Sequence, residues 1–562
     1  MFRLPNWIRG SYLVRDFAKH ISGLAVSRDG STLAFERLDK ASFKLLAAAG
    51  PVQIEYDVHA GDESVRKAFL DSRRGFFNFS SLVYCPAGFE QAAFEVLIER
   101  PALAVCNSWQ LATALPAIAT DSAGFGRYGA SDYETLIDSP VEMAAYQRID
   151  FEAGGVPHTL TLSGRCQPDQ ARLARDLAQV CSVQRAFFDH EPKMPRYWFL
   201  THVTANGYGG LEHRESTALV CSRNDLPQPG ATGMSKEYRT FLGLVSHEYF
   251  HLWNVKRITA KAFADSDLSA AAYSRDLWHY EGVTSYYDDL FLLRAGLIDA
   301  PTYLDLLAEG ATRLERMPAR HVQTLADSSF ETWIKYYQPD ENSPNASTNY
   351  YVKGALVALC LDLLLRRDSA TSLDAVVQQL WQRFGASDTP APEGALEAVA
   401  AELSGLDLKP FFDAALRSTG ELPLAETLAD FGVLAQRRVA SSDSDNGGRS
   451  LGSSQVCTLG CKLKNDGSVA HVLSGSPAQQ VGLAAGDVLI ALDGFNVSPG
   501  NFARRLNALV PGMAVELFWF RADELMRAHI TPQAAPADTW TLTQMDHVSA
   551  EVATRRKAWL TV

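Results

Sequence analysis

Two histidines and a glutamate in the middle of the chain have the spacing of a zinc site. The run from His247 to His251, His-Glu-Tyr-Phe-His, is an HExxH motif. It lies in a proline-free stretch, Lys236 to Trp253, whose pattern predicts a largely buried helix. At spacing i, i+4 the two imidazoles project from one helical face and can share a Zn²⁺. Glu248 lies about 100° around the helix from His247, so it can reach a water at the metal without being a ligand.

A motif this short also arises by chance, in roughly 2% of chains of this length and histidine content. The alternative interpretation is a pair of histidines hydrogen-bonded inside a helical core. A third ligand would separate the two interpretations, because a catalytic zinc usually takes three protein ligands and leaves a position for water.

The candidate third ligand lies on the next predicted helix. A histidine six residues after His251 is excluded, since Arg257 stands there. The segment from Asp276 to Gly296 has the length of a helix and ends at a glycine, which is typical of a helix C-terminus. It offers Glu281, with His279 as a competitor, and the Trp-x-x-Glu-Gly setting favours Glu281. On its own, Glu281 is equally explained as a solvated helix residue.

Composition is typical of a soluble globular protein. Hydrophobic residues make up 47% and charged residues 21%, and a length of 562 residues predicts three or four domains. The net charge of −13, from 52 Lys and Arg against 65 Asp and Glu, would repel a phosphate backbone or an anionic membrane. The most apolar stretch, 354–365, is too short to span a bilayer. We expect neither nucleic-acid binding nor membrane insertion.

The cysteines and the N-terminus favour a cytoplasmic protein. The eight cysteines are scattered along the chain without a CxxC pair, which suits reduced thiols. The first ten residues lack the apolar core and the cleavage site of a secretory signal.

Four regions differ in their pattern of apolar residues. Residues 1–165 hold short apolar and aromatic runs between turn signals, which predicts a β-rich domain. In 166–420, strand-like runs give way to helical patterns, which dominate after about 295. Strand patterns return in 421–535, and 536–562 form a C-terminal extension.

Four motifs, in order along the chain, resemble the gluzincin metallopeptidases, and within them the glycyl aminopeptidase family that has a C-terminal PDZ domain. The segment 247–257 is similar to the family's zinc helix, and 280–287 is similar to its third-ligand helix. Upstream, Gly-Gly-Leu-Glu-His at 209–213 is similar to a Gly-Ala-Met-Glu-Asn strand. Downstream, Tyr-Tyr-Val-Lys-Gly at 350–354 is similar to a Tyr-Glu-Lys-Gly segment.

This resemblance implies a multidomain α+β fold. Its parts would be an N-terminal β-sandwich-like domain at 1–165, a thermolysin-like mixed β/α catalytic domain at 166–420 whose helical subdomain follows about residue 295, and a C-terminal PDZ domain at 421–535. The segment from Leu4 to Phe17 looks like one that family members carry several strands into their first domain. By that comparison the first strands of the N-terminal domain are missing. The sequence leaves open whether a signal sequence precedes Met1.

The resemblance also implies one Zn²⁺ per chain, with His247, His251 and Glu281 as its ligands. Glu248 would act as the general base that takes a proton from the attacking water and passes it to the departing amine. Tyr351 would donate a hydrogen bond to the oxyanion, with Tyr350 as the second candidate. The alternative for both tyrosines is packing at a helix start.

The resemblance also implies that the strand before the zinc helix recognises the substrate. Glu212 would pair with the free α-amine of the substrate, and Gly209 and Gly210 would admit its backbone. Glu215 is a rival for the acidic role, and His213 departs from the Asn of the family pattern. The alternative is a plain turn into the following strand.

The family implies an aminopeptidase that removes small N-terminal residues such as Gly or Ala from peptides with a free N-terminus. Two other functions stay open at this point. One is a zinc endopeptidase that tolerates blocked N-termini. The other is a PDZ-bearing, peptide-binding scaffold with a vestigial zinc site.

The segment from Gly467 to Gly494 looks like a PDZ domain of the protease-associated type. Leu459 and Gly460 lie in the candidate loop whose backbone N–H groups would hold the carboxylate of a peptide ligand. The alternative is that this domain only braces the catalytic part.

Overall fold

The computed structural model describes residues 1–449, 452 and 454–561. The chain forms two compact units, each assembled from several segments. The first unit contains Met1–Ser274, Arg294–Leu297 and Gln378–Glu393. The second contains Arg275–Leu293, Ile298–Val377 and Gly394–Val562.

The N-terminal part of the first unit is built from short strands. They are β1 (Phe2–Arg3), β2 (Ile21–Arg28), β3 (Ser31–Thr32), β4 (Phe35–Arg37), β5 (Ser42–Leu45), β6 (Gln53–Val58), β7 (Ala68–Leu70), β8 (Arg74–Phe77), β9 (Cys85–Pro86), β10 (Phe94–Ile98), β11 (Gln110–Thr113), β12 (Ala117–Thr120), β13 (Gly126–Ala130) and β14 (Val141–Ala144). They form small sheets in the orders β4-β5-β1-β9, β3-β2-β6, β11-β14-β8-β7 and β10-β13-β12. The predicted β-rich N-terminal domain is confirmed.

A five-stranded mixed sheet follows. Its strands are β15 (Gln147–Ala153), β16 (Val156–Ser163), β17 (Tyr197–Thr204), β18 (Gly209–Glu212) and β19 (Ser216–Ser222). The order β15-β16-β17-β19-β18 puts β18 at one edge, antiparallel to β19. Leu211 of β18 packs in a hydrophobic core with side chains of the N-terminal sheets. Because side chains alternate along a strand, Gly210 and Glu212 face the other side of the sheet.

The helices of this part of the chain are α1 (Tyr133–Ile137), α2 (Gln170–Phe187), α3 (Lys236–Phe250) and α4 (Lys261–Ala264). Helix α3 packs on α2, β18 and β19. It begins where the Ser235 side chain accepts a hydrogen bond from the Tyr238 amide at 3.1 Å, which satisfies one of the free N–H groups of the first turn. The helix that carries the histidine motif therefore lies directly beside the edge strand.

The chain after Ser274 is mainly helical. Its helices are α5 (Thr284–Arg294), α6 (Ala300–Glu315), α7 (Leu325–Phe330), α8 (Ser343–Ala346), α9 (Tyr350–Asp368), α10 (Leu373–Leu380), α11 (Ala395–Ser404), α12 (Lys409–Leu416), α13 (Leu424–Ala429), α14 (Pro477–Gln480), α15 (Phe502–Asn507) and α16 (Ala550–Leu560). A π-helical stretch, Trp278–Val283, leads into α5 and packs closely on α9.

The remaining strands lie in the C-terminal third of the chain. They are β20 (Val433–Arg438), β21 (Cys457–Thr458), β22 (Cys461–Leu463), β23 (Val469–Val472), β24 (Val488–Leu492), β25 (Phe495–Asn496), β26 (Val515–Arg521), β27 (Glu524–Ile530), β28 (Gln533–Ala534) and β29 (Thr539–Gln544). Side chains between Cys457 and Ile530 form one hydrophobic core. Strand β20 pairs with β29, which packs on α6. The multidomain α+β class is thus confirmed, while the PDZ assignment stays a prediction.

One segment, Ser343–Asp368, is long and apolar enough to cross a membrane by length and composition alone. It contains α8 and α9, and 72% of its most apolar window is buried inside the protein. The buried central helix of a soluble domain has the same properties, so the segment is weak support for a membrane span.

Candidate functional site

Helix α3 positions the two histidines and the glutamate of the motif. His247 and Glu248 lie in its last turn, and His251 caps it with helical backbone angles. The two imidazole rings lie 4.6 Å apart, centroid to centroid. His251 Nδ1 is 2.7 Å from the Asn254 carbonyl oxygen. A hydrogen bond there puts the proton on Nδ1 and leaves Nε2 as the atom that can bind a metal.

Glu248 is held against the edge strand. Only 6% of its surface is exposed, and its carboxylate lies where a side chain at position 210 would be. A Cβ built on Gly210 would come within 2.1 Å of Glu248 Oε1. Position 210 must therefore be glycine to leave space for the Glu248 carboxylate, whether or not a substrate backbone also lies against it.

Glu281 lies in the π-helical stretch Trp278–Val283 and is buried. This stretch meets α9 through two glycines. A Cβ built on Gly282 would lie 2.6 Å from the Gly354 Cα, and one built on Gly354 would lie 2.9 Å from the Gly282 Cα. No side chain fits between the two backbones, so the glycines fix the path of the turn that presents Glu281. Stretches of π-helix are frequent at functional sites.

Three ligand-type atoms come together. His247, His251 and Glu281 each offer one ligand atom, and these three atoms lie within 4.8 Å of one another. Two imidazoles and one carboxylate are the donor set of many catalytic zinc sites. The residues present therefore fit a zinc ion. His279 does not belong to this cluster: it is buried, its ring stacks on Tyr280 at 4.4 Å, and burial lowers its pKa to about 3.

The two tyrosines at the start of α9 lie in the electrostatic field of Glu281. Burial, together with the negative charge of Glu281, raises the pKa of Tyr351 well above its ordinary value. The Tyr351 hydroxyl therefore keeps its proton at neutral pH and can donate it in a hydrogen bond. Tyr350 is fully buried, with its hydroxyl 2.9 Å from Thr332 Oγ1, whereas Tyr351 is half-buried. Tyr351 is thus the more accessible donor of the two.

Glu212 ends β18 as a buried carboxylate, 4% exposed. Its Oε1 has no hydrogen-bond partner among the described residues. The carboxylate lies against Gly10, whose φ is +87° and whose Cβ, if present, would be 2.2 Å from Glu212 Oε1. Glu212 also borders a cavity of about 480 Å³ within the first unit, together with Trp7, Tyr12 and Phe263. The sequence alone does not mark Gly10 as part of this site, although Gly10 lies in the segment 4–17 that resembles the family.

The neighbours of Glu212 in sequence have other partners. His213 Nδ1 is 3.1 Å from Asp138 Oδ1, and Lys256 Nζ donates to the same oxygen at 2.6 Å. Burial alone would raise the pKa of Asp138, but Lys256 and His213 hold it well below its usual range. Glu215 lies after the end of β18 and does not border the cavity next to Glu212. Burial raises the pKa of Glu215, and the positive charge of Arg257 opposes this shift.

The predicted carboxylate loop of the C-terminal module is tightly built. Leu459 is buried. The Gly460 amide donates to Thr458 Oγ1 at 3.0 Å, so that N–H already has a partner. Gly460 has φ +71°, and a Cβ there would lie 2.2 Å from the Ser476 Cβ. Strand β22 pairs with β23 alone among the described strands, which leaves its other edge open.

Comparison with solved structures gives a strong match. A protein of Idiomarina loihiensis, described as an aminopeptidase N family protein, is 38% identical over 100% of this chain and 95% of its own, with a TM-score of 0.95. The M1 zinc metallopeptidase of Deinococcus radiodurans is 14% identical, covering 72% of this chain and 85% of its own, with a TM-score of 0.46. Yeast LTA4 hydrolase is 14% identical, covering 76% of this chain and 64% of its own, with a TM-score of 0.48.

Two family models match the sequence. The peptidase M61 N-terminal domain matches residues 1–145, and the model described as M61 glycyl aminopeptidase matches residues 240–357. No curated protein sequence matches this chain. The second match spans the histidine motif, Glu281 and both tyrosines. With both matches in order and a solved relative 38% identical over nearly its whole length, the chain belongs to the M61 glycyl aminopeptidase family of peptidases.

Proposed function

We propose that this peptidase is a zinc aminopeptidase that removes small N-terminal residues, Gly or Ala, from peptides. The specificity is suggested by the description of the family, glycyl aminopeptidase. Zinc is suggested by the cluster of His247, His251 and Glu281, which would hold one ion per chain.

Each residue of the site has one task in this proposal. A zinc ion, when bound, polarises the attacking water and the scissile carbonyl. Glu248 takes a proton from the water and gives it to the departing amine. Tyr351 donates a hydrogen bond to the oxyanion that forms at the carbonyl. Glu212 accepts the α-ammonium of the substrate and so sets the bond to be cut one residue from the N-terminus.

The observation that carries the proposal is the buried carboxylate of Glu212. A buried charge without a counter-ion is unfavourable by several kcal/mol, and Glu212 Oε1 has no partner among the described residues. A substrate ammonium would supply both the counter-charge and the missing hydrogen bond. The contact with Gly10 leaves no room for a side chain at position 10, while the adjoining cavity leaves space for a substrate amine.

The test compares a glycyl peptide with its N-acetylated form, with and without a zinc chelator. We expect chelator-sensitive turnover that is much faster for the free peptide than for the acetylated one. In Glu212→Ala, turnover of the free peptide should fall about 100-fold or more, since breaking a buried ion pair costs about 3 to 5 kcal/mol. Glu215→Ala is the matched control and should retain turnover. Equal loss on both substrates in Glu212→Ala would remove Glu212 from amine recognition.

One observation favours a second candidate, an endopeptidase that tolerates blocked N-termini. The cavity of about 480 Å³ next to Glu212 is larger than a glycyl or alanyl residue needs. It could hold an acetyl group or residues that precede the cleaved bond. Turnover of the N-acetylated peptide at a rate close to that of the free peptide would establish this candidate.

For the C-terminal module we propose a PDZ domain. The open edge of β22 is the feature to which a peptide strand could add, but the internal hydrogen bond of the Gly460 amide argues for a bracing role over carboxylate binding. Stoichiometric zinc without turnover of any glycyl substrate would favour the scaffold function over the peptidase function.

A further inference from the structure

A half-buried arginine lies beside the proposed substrate strand. Arg66, in the loop between β6 and β7, donates from Nη2 to the Gly210 carbonyl oxygen at 3.1 Å. Its Nη1 lies 4.0 Å from where a Cβ of Gly209 would be. The N-terminal domain therefore contributes a cation to the free edge of the mixed sheet.

The position of this cation follows from the strand geometry. The Gly210 carbonyl accepts from Arg66, so it points away from β19 and out of the sheet edge. Backbone groups alternate in direction along an antiparallel strand, so those of Glu212 point the same way. Arg66 therefore lies at the edge along which an extended peptide would pair with β18, and the Glu212 side chain projects from one face of the sheet beside that edge.

Arg66 has unused hydrogen-bonding capacity. A guanidinium carries five N–H donors, and within the described residues one hydrogen bond is found for that of Arg66. Its Nε is buried without a partner, and no described carboxylate lies within 4.0 Å of it. A half-buried cation with no counter-ion is unfavourable, and the planar fork of arginine fits a carboxylate with two parallel hydrogen bonds.

The spacing along β18 between the residues that Arg66 contacts and Glu212 selects a ligand. Gly210 and Glu212 are two residues apart, about 7 Å along a strand at roughly 3.3 Å per residue, and Gly209 adds one more residue. An extended peptide spans at most about 3.3 to 3.6 Å per residue. The free amine and the free carboxylate of a dipeptide or tripeptide are separated by this span.

We propose that Arg66 binds the C-terminal carboxylate of short substrates, which makes the enzyme selective for dipeptides and tripeptides with both termini free. This inference rests on the proposed aminopeptidase function, in which Glu212 holds the amine. Arg66 then selects substrates by their length and takes no part in the chemistry at the scissile bond.

The test measures kcat/KM for glycyl-alanyl-alanine, its C-terminal amide and glycyl p-nitroanilide. We expect the wild-type protein to prefer the free acid over the amide about 10- to 100-fold, the effect of a hydrogen bond to a charged group. Arg66→Met should abolish this preference mainly through a higher KM for the acid. Arg66→Lys, which keeps the charge but lacks the fork, should retain part of it.

Lys67→Met is the matched control on the same loop, because Lys67 pairs with Asp62 at 2.7 Å, away from β18. It should leave the ratio of acid to amide unchanged. Two results would overturn the role of Arg66: equal turnover of acid and amide by the wild-type protein, or an equal loss on both substrates in Arg66→Met. In either case, turnover of the p-nitroanilide would still support the aminopeptidase function. Failure to turn over any of the three substrates would instead count against the proposed function and, with it, this inference.

Discussion

The two helical segments that carry the candidate metal ligands are built in different ways. Helix α3 is regular, is capped by the Ser235 side chain, and presents its ligands through the ordinary helical period. The stretch Trp278–Val283 is π-helical, has no side-chain cap, and takes its path from the contact of Gly282 with Gly354. One ligand-bearing segment is specified by its own sequence, the other by a contact with a helix about 70 residues away.

The positions of the metal ligands on the two segments therefore depend on different interactions. The histidines need only that α3 forms, and a helix can absorb small changes in its surroundings. Glu281 needs two backbones to approach without a side chain between them, and a close-packed contact of that kind has no spare room. Substitutions should therefore affect the two segments unequally, which can be measured.

The largest effects should come from the glutamates on the two segments. Glu248→Gln should retain zinc but lower hydrolysis of a glycyl substrate about 10²- to 10⁴-fold, because it removes the general base. Glu281→Gln should lose zinc on dialysis as well as activity, because it removes a ligand. Metal analysis and turnover of both variants check this. Full activity in Glu248→Gln, or stoichiometric zinc in Glu281→Gln, would contradict the assignment.

A smaller effect is expected from the glycine contact. Gly282→Ala should destabilise the protein by about 1 to 3 kcal/mol through overpacking and weaken zinc binding about 10- to 100-fold, as loss of a positioning group does. Gly310→Ala, on α6 with no atom within 4 Å of a new Cβ, is the control and should stabilise by about 0.5 to 1 kcal/mol. Chelator competition and denaturant unfolding are the measurements. Unchanged zinc affinity in Gly282→Ala would mean that the contact does not position Glu281.

The smallest effect should come from the cap of α3. Ser235→Ala should cost about 1 kcal/mol, and Ser235→Gly only a few tenths, because glycine is tolerated at an N-cap. Faster hydrogen exchange of the amides in the first turn of α3 would report this, with zinc content unchanged. Loss of zinc in Ser235→Ala would show that α3 is less self-sufficient than its regular geometry indicates.

The histidine motif was readable from sequence because its spacing and its helix obey one local period. Glu281 was found from its Trp-x-x-Glu-Gly setting, and the β-rich start of the chain from its short apolar runs; the family assignment that these residues suggested is confirmed. The PDZ assignment and the individual site roles stay predictions.

Other features depend on contacts between distant residues, which no local pattern encodes. The π-helical stretch needs Gly354, and the exclusion of a side chain at Gly210 by Glu248 involves positions 38 residues apart. The pairing of β20 with β29 joins segments about 100 residues apart. Gly10 looks like any turn glycine until the Glu212 carboxylate is seen against it.

The ion cluster around Asp138 has a practical consequence for dividing this protein into fragments. Residues 1–145 match an N-terminal domain of their own, yet Asp138 lies inside that range and is the counter-ion of Lys256, just beyond α3. A catalytic fragment that starts after residue 145 would keep a nearly buried lysine and His213 without their shared carboxylate. Such a fragment should be insoluble or unfolded when produced alone, and co-expression with residues 1–145 would be the way to recover it.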